Sequence, residues 1–176
     1  MILGVPHESY PGERRVALVP AVIPSLTKAG LEVVVEAGAG AEAGYPDDEY
    51  SAKGAKILAG RAEVFRVADI VVQVLCYGSN DRTGKDDLPH FHPNQTLVGF
   101  LRPLGVLETI QDIAARGISS FSVELMPRTT RAQSMDALSS MATMSGYKAV
   151  VVAGIRCRAA FPCSPPLQGR LRPGMS

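Results

Sequence analysis

Short apolar runs alternate with stretches of helical periodicity over most of the chain. The runs that predict buried strands are residues 2–5 (ILGV), 31–37 (LEVVVEA), 69–75 (DIVVQVL), 96–101 (TLVGFL) and 118–123 (ISSFSV). Helices are predicted at 21–28, 46–55, 62–68 and 106–117, followed by a long helix from about Met135 to about Val152. Strands separated by helical crossovers indicate an α/β fold: a mostly parallel sheet with helices on both faces, of the flavodoxin/Rossmann-like kind.

The end of the chain has a different character. From Gly154 on, prolines, arginines and cysteines follow one another without apolar periodicity, so we expect a domain at 1–153 and an irregular tail at 154–176. One synonymous back-translation of residues 161–170 (FPCSPPLQGR), read one base earlier, gives PMLTTAAGT. This peptide resembles the segment that precedes the Rossmann domain in transhydrogenase α chains, so we hypothesise that the tail is a frameshift product. Sequencing the source gene around codon 155 would test this.

Composition narrows the classes of function. The 176 residues are 46% hydrophobic and 20% charged, with a net charge of +1, which is typical of a soluble globular protein and not of one that binds nucleic acid or a membrane surface. We find neither a signal peptide nor an apolar run of the roughly 20 residues that a membrane span needs. The odd number of cysteines (Cys76, Cys157 and Cys163) favours a reducing, cytoplasmic setting without a disulfide framework.

The segment GAGAEAG (38–44) follows a valine-rich strand with a glycine spacing close to that of loops that bind dinucleotide pyrophosphates. Such a loop opens directly into a crossover helix whose N-terminus faces the phosphates. Here Tyr45 and Pro46 follow, the next helix is short and polar, and Asp69 lies at the start of its strand, the wrong end for holding a ribose. We interpret the segment as a tight strand-to-helix turn.

Two histidines form the other candidate site. His90 and His92 lie near Asp86 and Asp87 in a polar loop, and such a set could ligate a metal ion. A solvated loop is the simpler interpretation, and we predict no metal site.

From residue 120 the chain reads SFSVELMPRTTRAQSMDALSSMATMSGYKAV, which closely resembles the nicotinamide-contacting loop of the proton-translocating NAD(P) transhydrogenases, in their NAD(H)-binding α component. The segments GVPHESYPGERRVALVP, VVVEAGAGAEAGYPDDEY and ADIVVQV resemble the opening domain of the same family, which alanine dehydrogenase shares. The resemblance covers about residues 1–153. It implies that the dinucleotide sits on a separate Rossmann domain, and that this chain is truncated before that domain.

The residue types of this loop suit a pyridine carboxamide. Ser134 is a candidate N-cap of the long helix, with Asp136 in its first turn and Ser139 on the same side. A carboxylate can accept from an amide NH2, and a hydroxyl can donate to its C=O. A serine and an aspartate at a helix start also serve as caps alone, and that alternative stays open.

The resemblance assigns the roles in the loop. It implies that NAD(H) is contacted by Arg128, Arg131, Gln133, Ser134, Asp136 and Ser139. Of these, Gln133, which approaches the partner nucleotide, and Asp136 are the predicted catalytic pair.

The implied activity of the intact family enzyme is hydride transfer from NADH to NADP+, coupled to proton translocation. The hydride passes directly between two nicotinamide rings, so catalysis is by orientation and needs no general acid or base. The resemblance further implies NADP(H) on a partner domain, other transhydrogenase subunits, a homodimer, and a cytoplasmic position peripheral to the inner membrane through those subunits. We expect the chain alone to bind NADH very weakly and to have no turnover.

Two alternatives are an interaction or dimerisation module without catalysis, and an enzyme similar to alanine dehydrogenase. The second needs a carboxylate clamp, a lysine and a histidine. Arg15 is present at the clamp position, but Gln73 and Leu75 stand where that enzyme would present lysine, and Arg102 and Pro103 stand in place of histidine. Arg15 is then expected to have a structural role with Glu8 and Glu13.

Overall fold

The computed structural model describes residues 1–156, which fall in two compact units, Met1–Asp136 and a second that begins at Ala137. The first unit contains a six-stranded sheet in which every pairing is parallel. Its strands are β1 (Ile2–Val5), β2 (Glu32–Glu36), β3 (Lys56–Leu58), β4 (Ile70–Leu75), β5 (Thr96–Phe100) and β6 (Ser119–Ser122). The strand order is β3-β2-β1-β4-β5-β6, the Rossmann order.

Helices connect the strands at the predicted places. In the first unit they are α1 (Ile23–Lys28), α2 (Asp47–Ala52), α3 (Arg61–Val67) and α4 (Leu107–Ala115). Short 3-10 helices lie at Pro20–Val22, Ala41–Ala43, Gly84–His90, Val123–Leu125 and Thr130–Met135. The five predicted strands and four predicted helices of this unit are confirmed, with small differences at their ends. β3 was missed because it has only three residues and lies at the sheet edge.

Alternation along β1 shows why helices cover both faces of the sheet. Leu3 and Val5 point into one apolar cluster, which includes Ile23 of α1 and Tyr50 of α2. Gly4 points the other way, toward α3, where a Cβ atom would come within 2.7 Å of the Ala68 Cβ. The absence of a side chain at Gly4 therefore lets the α3 segment pack closely on the second face.

The other half of the sheet is held by a second apolar cluster. It includes Phe65 from α3, Val71 from β4, Leu97 from β5 and Ile113 from α4, all of them buried. Gln95, fully buried, joins the α3 region to this half, because its amide donates to the carbonyls of Phe65 and Ala68 at 2.7 Å. The loops at the carboxyl edge of the sheet thus extend from a closely packed core.

The second unit is described as one helix, α5 (Ala137–Arg156), in which no described residue is buried. The helix continues beyond the predicted end near Val152, so residues 154–156 are helical and do not belong to an irregular tail. The rest of that predicted tail, with Cys157, Cys163 and the frameshift hypothesis, lies outside the described residues. Among residues 1–156, no helix has the length and apolarity of a membrane span.

Candidate functional site

The segment at residues 128–136 follows β6 at the carboxyl edge of the sheet. After the short 3-10 helix Val123–Leu125, the backbone turns at Pro127, whose carbonyl accepts from the Thr129 N–H at 2.9 Å. The 3-10 helix Thr130–Met135 then begins, and Ala132, only 5% exposed, anchors it to the unit. Ala132 is therefore the buried residue of a segment whose other residues are largely exposed to solvent.

The structure brings five of the six predicted cofactor residues into this one segment. Arg128, Arg131, Gln133 and Ser134 are exposed, and Asp136 is half-buried. Within residues 1–156 no ion pair involves either arginine. The sixth residue, Ser139, is exposed on α5 in the second unit.

The prediction that Ser134 caps the long helix is wrong. Ser134 lies inside the 3-10 helix, which runs to Met135, and α5 begins only at Ala137. Asp136 precedes α5 in an extended conformation (φ −80°, ψ 91°) and so is not in its first turn. That the side chains of Asp136 and Ser139 lie on the same side stays a prediction. Their contact with a cofactor remains a prediction that rests on the resemblance and on the chemistry of the side chains.

The glycine segment at 38–44 is a folded turn, as predicted. Gly38 (φ +76°) donates its N–H to both carboxylate oxygens of Asp47, at 2.9 and 3.1 Å. A Cβ atom at Gly40 would come within 2.6 Å of the Tyr45 carbonyl oxygen and of the Tyr50 ring. The N–H group that would face a phosphate in a dinucleotide loop is thus occupied by a side chain of the protein itself.

Asp69 also lies where the sequence places it. It immediately precedes β4, at the amino edge of the sheet, and its carboxylate accepts from the Ile2 N–H at 2.6 Å. This aspartate joins the starts of β1 and β4. Its distance from the carboxyl edge excludes it from holding a ribose at the switch point of the sheet.

That switch point, between β1 and β4, is where doubly wound sheets bind their ligands. Here Glu8, only 5% exposed, fills part of it: its two carboxylate oxygens accept from the N–H groups of Val74 (2.6 Å) and Leu75 (3.0 Å). Burial raises the pKa of Glu8, and the two backbone hydrogen bonds oppose that rise. The Glu8 carboxylate therefore accepts the hydrogen bonds that the N–H groups at the end of β4 could otherwise donate to a ligand.

An ion pair between the half-buried Arg61 and the buried Asp87 also lies at this edge. Arg61 donates from Nε and Nη2 to the two carboxylate oxygens of Asp87, at 2.5 and 2.7 Å, and from Nη1 to the carbonyl of His7. Gln73 donates its amide to Asp87 at 3.1 Å, and its Oε1 has no partner among the described residues. We call Glu8, Arg61, Gln73 and Asp87 the switch-point cluster.

Sequence analysis did not single out Arg61, and it named Asp87 only as a neighbour of the candidate metal ligands. The available signal was Gln73, a polar residue in the otherwise apolar run DIVVQVL, since a buried polar side chain needs hydrogen-bond partners. Its partner Asp87 comes from the polar loop that ends near residue 95, and Arg61, which binds Asp87 in turn, comes from α3. They are far from Gln73 in sequence, so the spacing of residues along the chain could not identify them.

Arg15 forms the structural pair expected with one of its two predicted partners. Its guanidinium donates to both carboxylate oxygens of Glu13, at 2.8 and 2.6 Å, and this hydrogen bond lowers the pKa of Glu13. Glu8 binds the end of β4 and makes no hydrogen bond to Arg15, but its charge, after the hydrogen bond to Glu13, also contributes to raising the pKa of Arg15. The guanidinium at the clamp position is therefore already engaged with a carboxylate.

The two candidate metal ligands, His90 and His92, lie at the end of the polar loop and just after it. The His90 ring stands 6.0 Å from the Phe65 ring, and His92 Nδ1 lies 3.2 Å from the Pro93 carbonyl. Among residues 1–156 no group of histidine, cysteine, aspartate and glutamate has an arrangement that could hold a metal ion.

The strand order and the filled switch point together define a Rossmann-like α/β domain that departs from a dinucleotide-binding one at the usual ligand position. Residues 4–145 match the family described as alanine dehydrogenase/PNT, N-terminal domain. The chain belongs to this family, and the resemblance inferred from the sequence is confirmed.

Individual relatives agree with this assignment. The chain is 40% identical over 154 residues to the NAD(P) transhydrogenase subunit alpha of Cereibacter sphaeroides, covering 88% of this chain and 28% of that protein. The crystal structure of transhydrogenase from Sinorhizobium meliloti is similar with a TM-score of 0.78 and 36% identity, over 88% of this chain and 44% of that one. An L-alanine dehydrogenase structure follows at a TM-score of 0.66 and 25% identity, over 74% and 34%. The chain thus spans less than half the length of these relatives.

Proposed function

We propose that the protein to which this chain belongs is the NAD(H)-binding component of an NAD(P) transhydrogenase, and that this chain contacts the pyridine end of NAD(H). The observation that supports this most is the exposed position of residues 128–136 beyond the carboxyl end of β6. Ligands of parallel sheets bind at this edge. The sequence of the segment is also the part of the chain that most resembles the transhydrogenase loop.

The side chains of the segment fit one end of the cofactor by their chemistry. Asp136 would accept from the carboxamide NH2, and Ser139 would donate to the carboxamide C=O. Arg128 would pair with the ribose-phosphate side, where a planar guanidinium is well suited to phosphate oxygens, with Arg131 and Ser134 beside it. Gln133, exposed on the 3-10 helix, would be the residue that approaches the second nucleotide.

The chain contributes orientation. NADH, when bound, supplies the hydride for NADP+ held by a partner domain. Asp136 and Gln133 would fix the plane and position of the pyridine ring, and the rate gain of such fixation comes from near-contact geometry. The 128–136 segment contains no histidine, cysteine or lysine. This composition agrees with a transfer that exchanges no proton with the substrate.

The rest of the assembly is part of the same proposal. The transfer would be coupled to proton translocation through other subunits, which would hold the protein at the inner membrane, and the intact protein would be a homodimer. The name "subunit alpha" of the Cereibacter relative supports further subunits. The switch-point cluster supports a dinucleotide domain elsewhere, because it fills the position where this domain would otherwise bind the pyrophosphate.

The test is a comparison of two carboxylate variants of the 176-residue chain. Saturation-transfer NMR with millimolar NADH should show contact with the pyridine protons in the parent chain and a clear loss in Asp136→Ala. Asp48→Ala, which removes an exposed carboxylate of the same charge on α2, is the control and should keep the signal. Equal signals in both variants would contradict the proposed role of the segment.

Calorimetry then tests where the adenylate end is held. If a second domain anchors it, residues 1–176 bind NADH with a Kd in the millimolar range or weaker and have no transhydrogenase turnover. A sub-millimolar Kd would show that this chain alone holds the whole dinucleotide and would overturn that part of the proposal.

A second candidate function is a non-catalytic interaction module, which the surface of α5 favours. Met144, Tyr147 and Ile155 are 67%, 75% and 76% exposed. A helix that exposes large apolar residues usually packs against a partner. Size-exclusion chromatography with and without an NADP(H)-binding partner domain tests this, and co-elution without any NADH contact would favour it over the enzyme component.

A third candidate, amino acid oxidation like that of alanine dehydrogenase, is disfavoured by the Arg15–Glu13 pair and by Gln73, Leu75, Arg102 and Pro103. Alanine-dependent reduction of NAD+ should be absent.

A further inference from the structure

Two carboxylates bind the ends of neighbouring strands in the same way. Glu8 accepts from two consecutive backbone N–H groups at the end of β4. Glu124 accepts through Oε1 from the N–H of Leu101 at 3.0 Å and from the N–H of Arg102, both just after β5. Hydrogen bonds to a charged acceptor are stronger than those between neutral groups, so each carboxylate fixes the direction in which the chain leaves its strand.

The loop that Glu124 binds has an otherwise unfavourable backbone. Arg102 has a φ of +55°, and an arginine is strained in this left-handed region. Strain of this kind persists only where the surrounding structure imposes it. Gly105 closes the turn by donating its N–H to the Arg102 carbonyl at 3.0 Å. The loop after β5 therefore has a defined shape at the point where Glu124 binds it.

Glu124 belongs to the stretch of chain that leads into the 128–136 segment. It lies in the 3-10 helix Val123–Leu125, which Met126 closes with a backbone hydrogen bond of 3.3 Å. Pro127 follows, and its ring fixes its φ. No glycine separates Glu124 from the segment. The position of the carboxylate therefore determines where the segment starts and in which direction it runs.

Few apolar contacts fix this part of the chain. Phe121 and Leu125 are 64% and 52% exposed, and among residues 123–136 only Ala132 is buried. Where little apolar surface is buried, the local structure opens easily, and the hydrogen bonds of a charged group contribute more of what fixes the backbone. The hydrogen bonds of Glu124 are therefore expected to control the conformation of the exposed segment that follows.

We propose that Glu124 is a positioning residue: its hydrogen bonds to the loop after β5 hold the 128–136 segment in the conformation that contacts the pyridine end of NAD(H). This inference rests on the proposed function and adds to it a residue that does not touch the cofactor. Loss of the carboxylate releases the start of the segment, so that only a fraction of the molecules can bind at any time.

Two substitutions at Glu124 separate its hydrogen bonds from its charge. Glu124→Ala removes both hydrogen bonds. Glu124→Gln keeps an accepting oxygen at the Oε1 position, and its NH2 group replaces the second oxygen, which has no partner among the described residues. The control is Gly40→Ala, which introduces a steric clash in the turn after β2, a strand three positions from β5 in the sheet.

The experiment titrates the labelled 176-residue chain and its variants with NADH and follows the backbone amide shifts of residues 128–136. The affinity should fall about tenfold in Glu124→Ala, because binding is weakened by the fraction of molecules that hold the segment in place. Glu124→Gln and Gly40→Ala should stay within about twofold of the parent chain. An equal loss in Gly40→Ala would mean general loosening of the domain, and an equal loss in Glu124→Gln would mean that the accepting oxygen does not matter; either result overturns the proposal.

Amide hydrogen exchange in the parent chain tests the same point if Glu124→Ala fails to fold. If NADH binds the conformation that Glu124 holds, bound NADH stabilises the hydrogen bonds of Glu124 in turn. Exchange at Leu101 and Arg102 should slow by up to about fourfold with NADH at about three times its Kd. Exchange at Val74, which Glu8 binds, should not change. Unchanged exchange at Leu101 and Arg102 overturns the proposal.

The outcomes separate this inference from the proposed function. If NADH shifts residues 128–136 with equal affinity in the parent chain and in Glu124→Ala, the role of Glu124 is overturned while the proposed function stands. If NADH shifts none of these amides in the parent chain, the proposed function is overturned and this inference with it.

Discussion

The switch-point cluster and the 128–136 segment both lie beyond the carboxyl ends of parallel strands, yet their polar side chains differ in burial. In the cluster, Glu8 is 5% exposed and Asp87 is 2% exposed, and both accept hydrogen bonds from the protein. In the segment, Arg128 and Gln133 are exposed, and only Ala132 is buried. The carboxyl edge of the sheet thus carries both buried polar groups that bind the protein itself and polar groups that are exposed to solvent.

The difference shows which polar residues the fold itself requires. A buried charge is tolerated only when it is paired and hydrogen-bonded, so each member of the cluster depends on the others. An exposed side chain has no such requirement and can be selected for a ligand. In this domain the switch-point cluster occupies the position where a Rossmann-like domain usually binds its ligand. The proposed binding residues lie instead in the loop after β6.

The largest expected effect is on folding stability in the cluster. Arg61→Ala leaves the buried Asp87 carboxylate without its cation, which should lower the free energy of unfolding by about 3–5 kcal/mol. Arg66→Ala removes an exposed arginine from the same helix and should change it by less than about 0.5 kcal/mol. Urea unfolding followed by circular dichroism measures both. Similar losses in the two variants would mean that the cluster is not structural.

Alkaline pH should act through Tyr50. Burial, with smaller contributions from Tyr45, Asp47 and Glu49, raises the pKa of Tyr50 to about 12. An unfolded tyrosine ionises near pH 10, so this contribution is fully present below about pH 10 and is lost as pH rises through about 12, at up to about 3 kcal/mol. Tyr50→Phe also loses the hydrogen bond to the Leu18 carbonyl, and its unfolding free energy should fall less steeply over this range. Parallel pH curves for the two proteins would contradict this.

The glycine turn gives a prediction of intermediate size. Gly40→Ala places a methyl group against the Tyr45 carbonyl and the Tyr50 ring, and should destabilise the protein by about 1–3 kcal/mol. Gly146→Ala on α5 meets no neighbour within 4 Å and should not destabilise it. Thermal unfolding distinguishes them. A tolerated alanine at residue 40 would be evidence against a tightly packed turn there.

The smallest effect on stability is expected in the segment. Gln133→Ala should change the unfolding free energy by no more than about 0.5 kcal/mol, because its side chain is exposed. The variant should nevertheless weaken the contact with NADH measured by saturation-transfer NMR. A large loss of stability in this variant would mean that Gln133 is a structural residue and not a binding one.

Much of this fold follows from local patterns in the sequence, because short apolar runs such as ILGV and TLVGF, bounded by turn residues, favour strands. What the patterns missed depends on tertiary contacts. β3 has three residues at a sheet edge, and the Arg61–Asp87 pair joins residues 26 positions apart. The capping prediction for Ser134 failed because a 3-10 helix, which no local signal distinguished from the start of α5, occupies Thr130–Met135. The prediction of a turn at the glycine segment was correct because Tyr45 and Pro46, which follow it directly, do not fit the helix start of a phosphate-binding loop.

The most direct test of the central claim is a map of the amide shifts that millimolar NADH produces in the labelled 176-residue chain. The claim predicts shifts at residues 128–136, and none at Gly38 in the glycine turn or at Val74 and Leu75 beside Glu8. The reverse pattern, with shifts at Gly38 and Val74 and an unchanged 128–136 segment, would contradict it, because the ligand would then occupy the positions that the protein's own carboxylates fill.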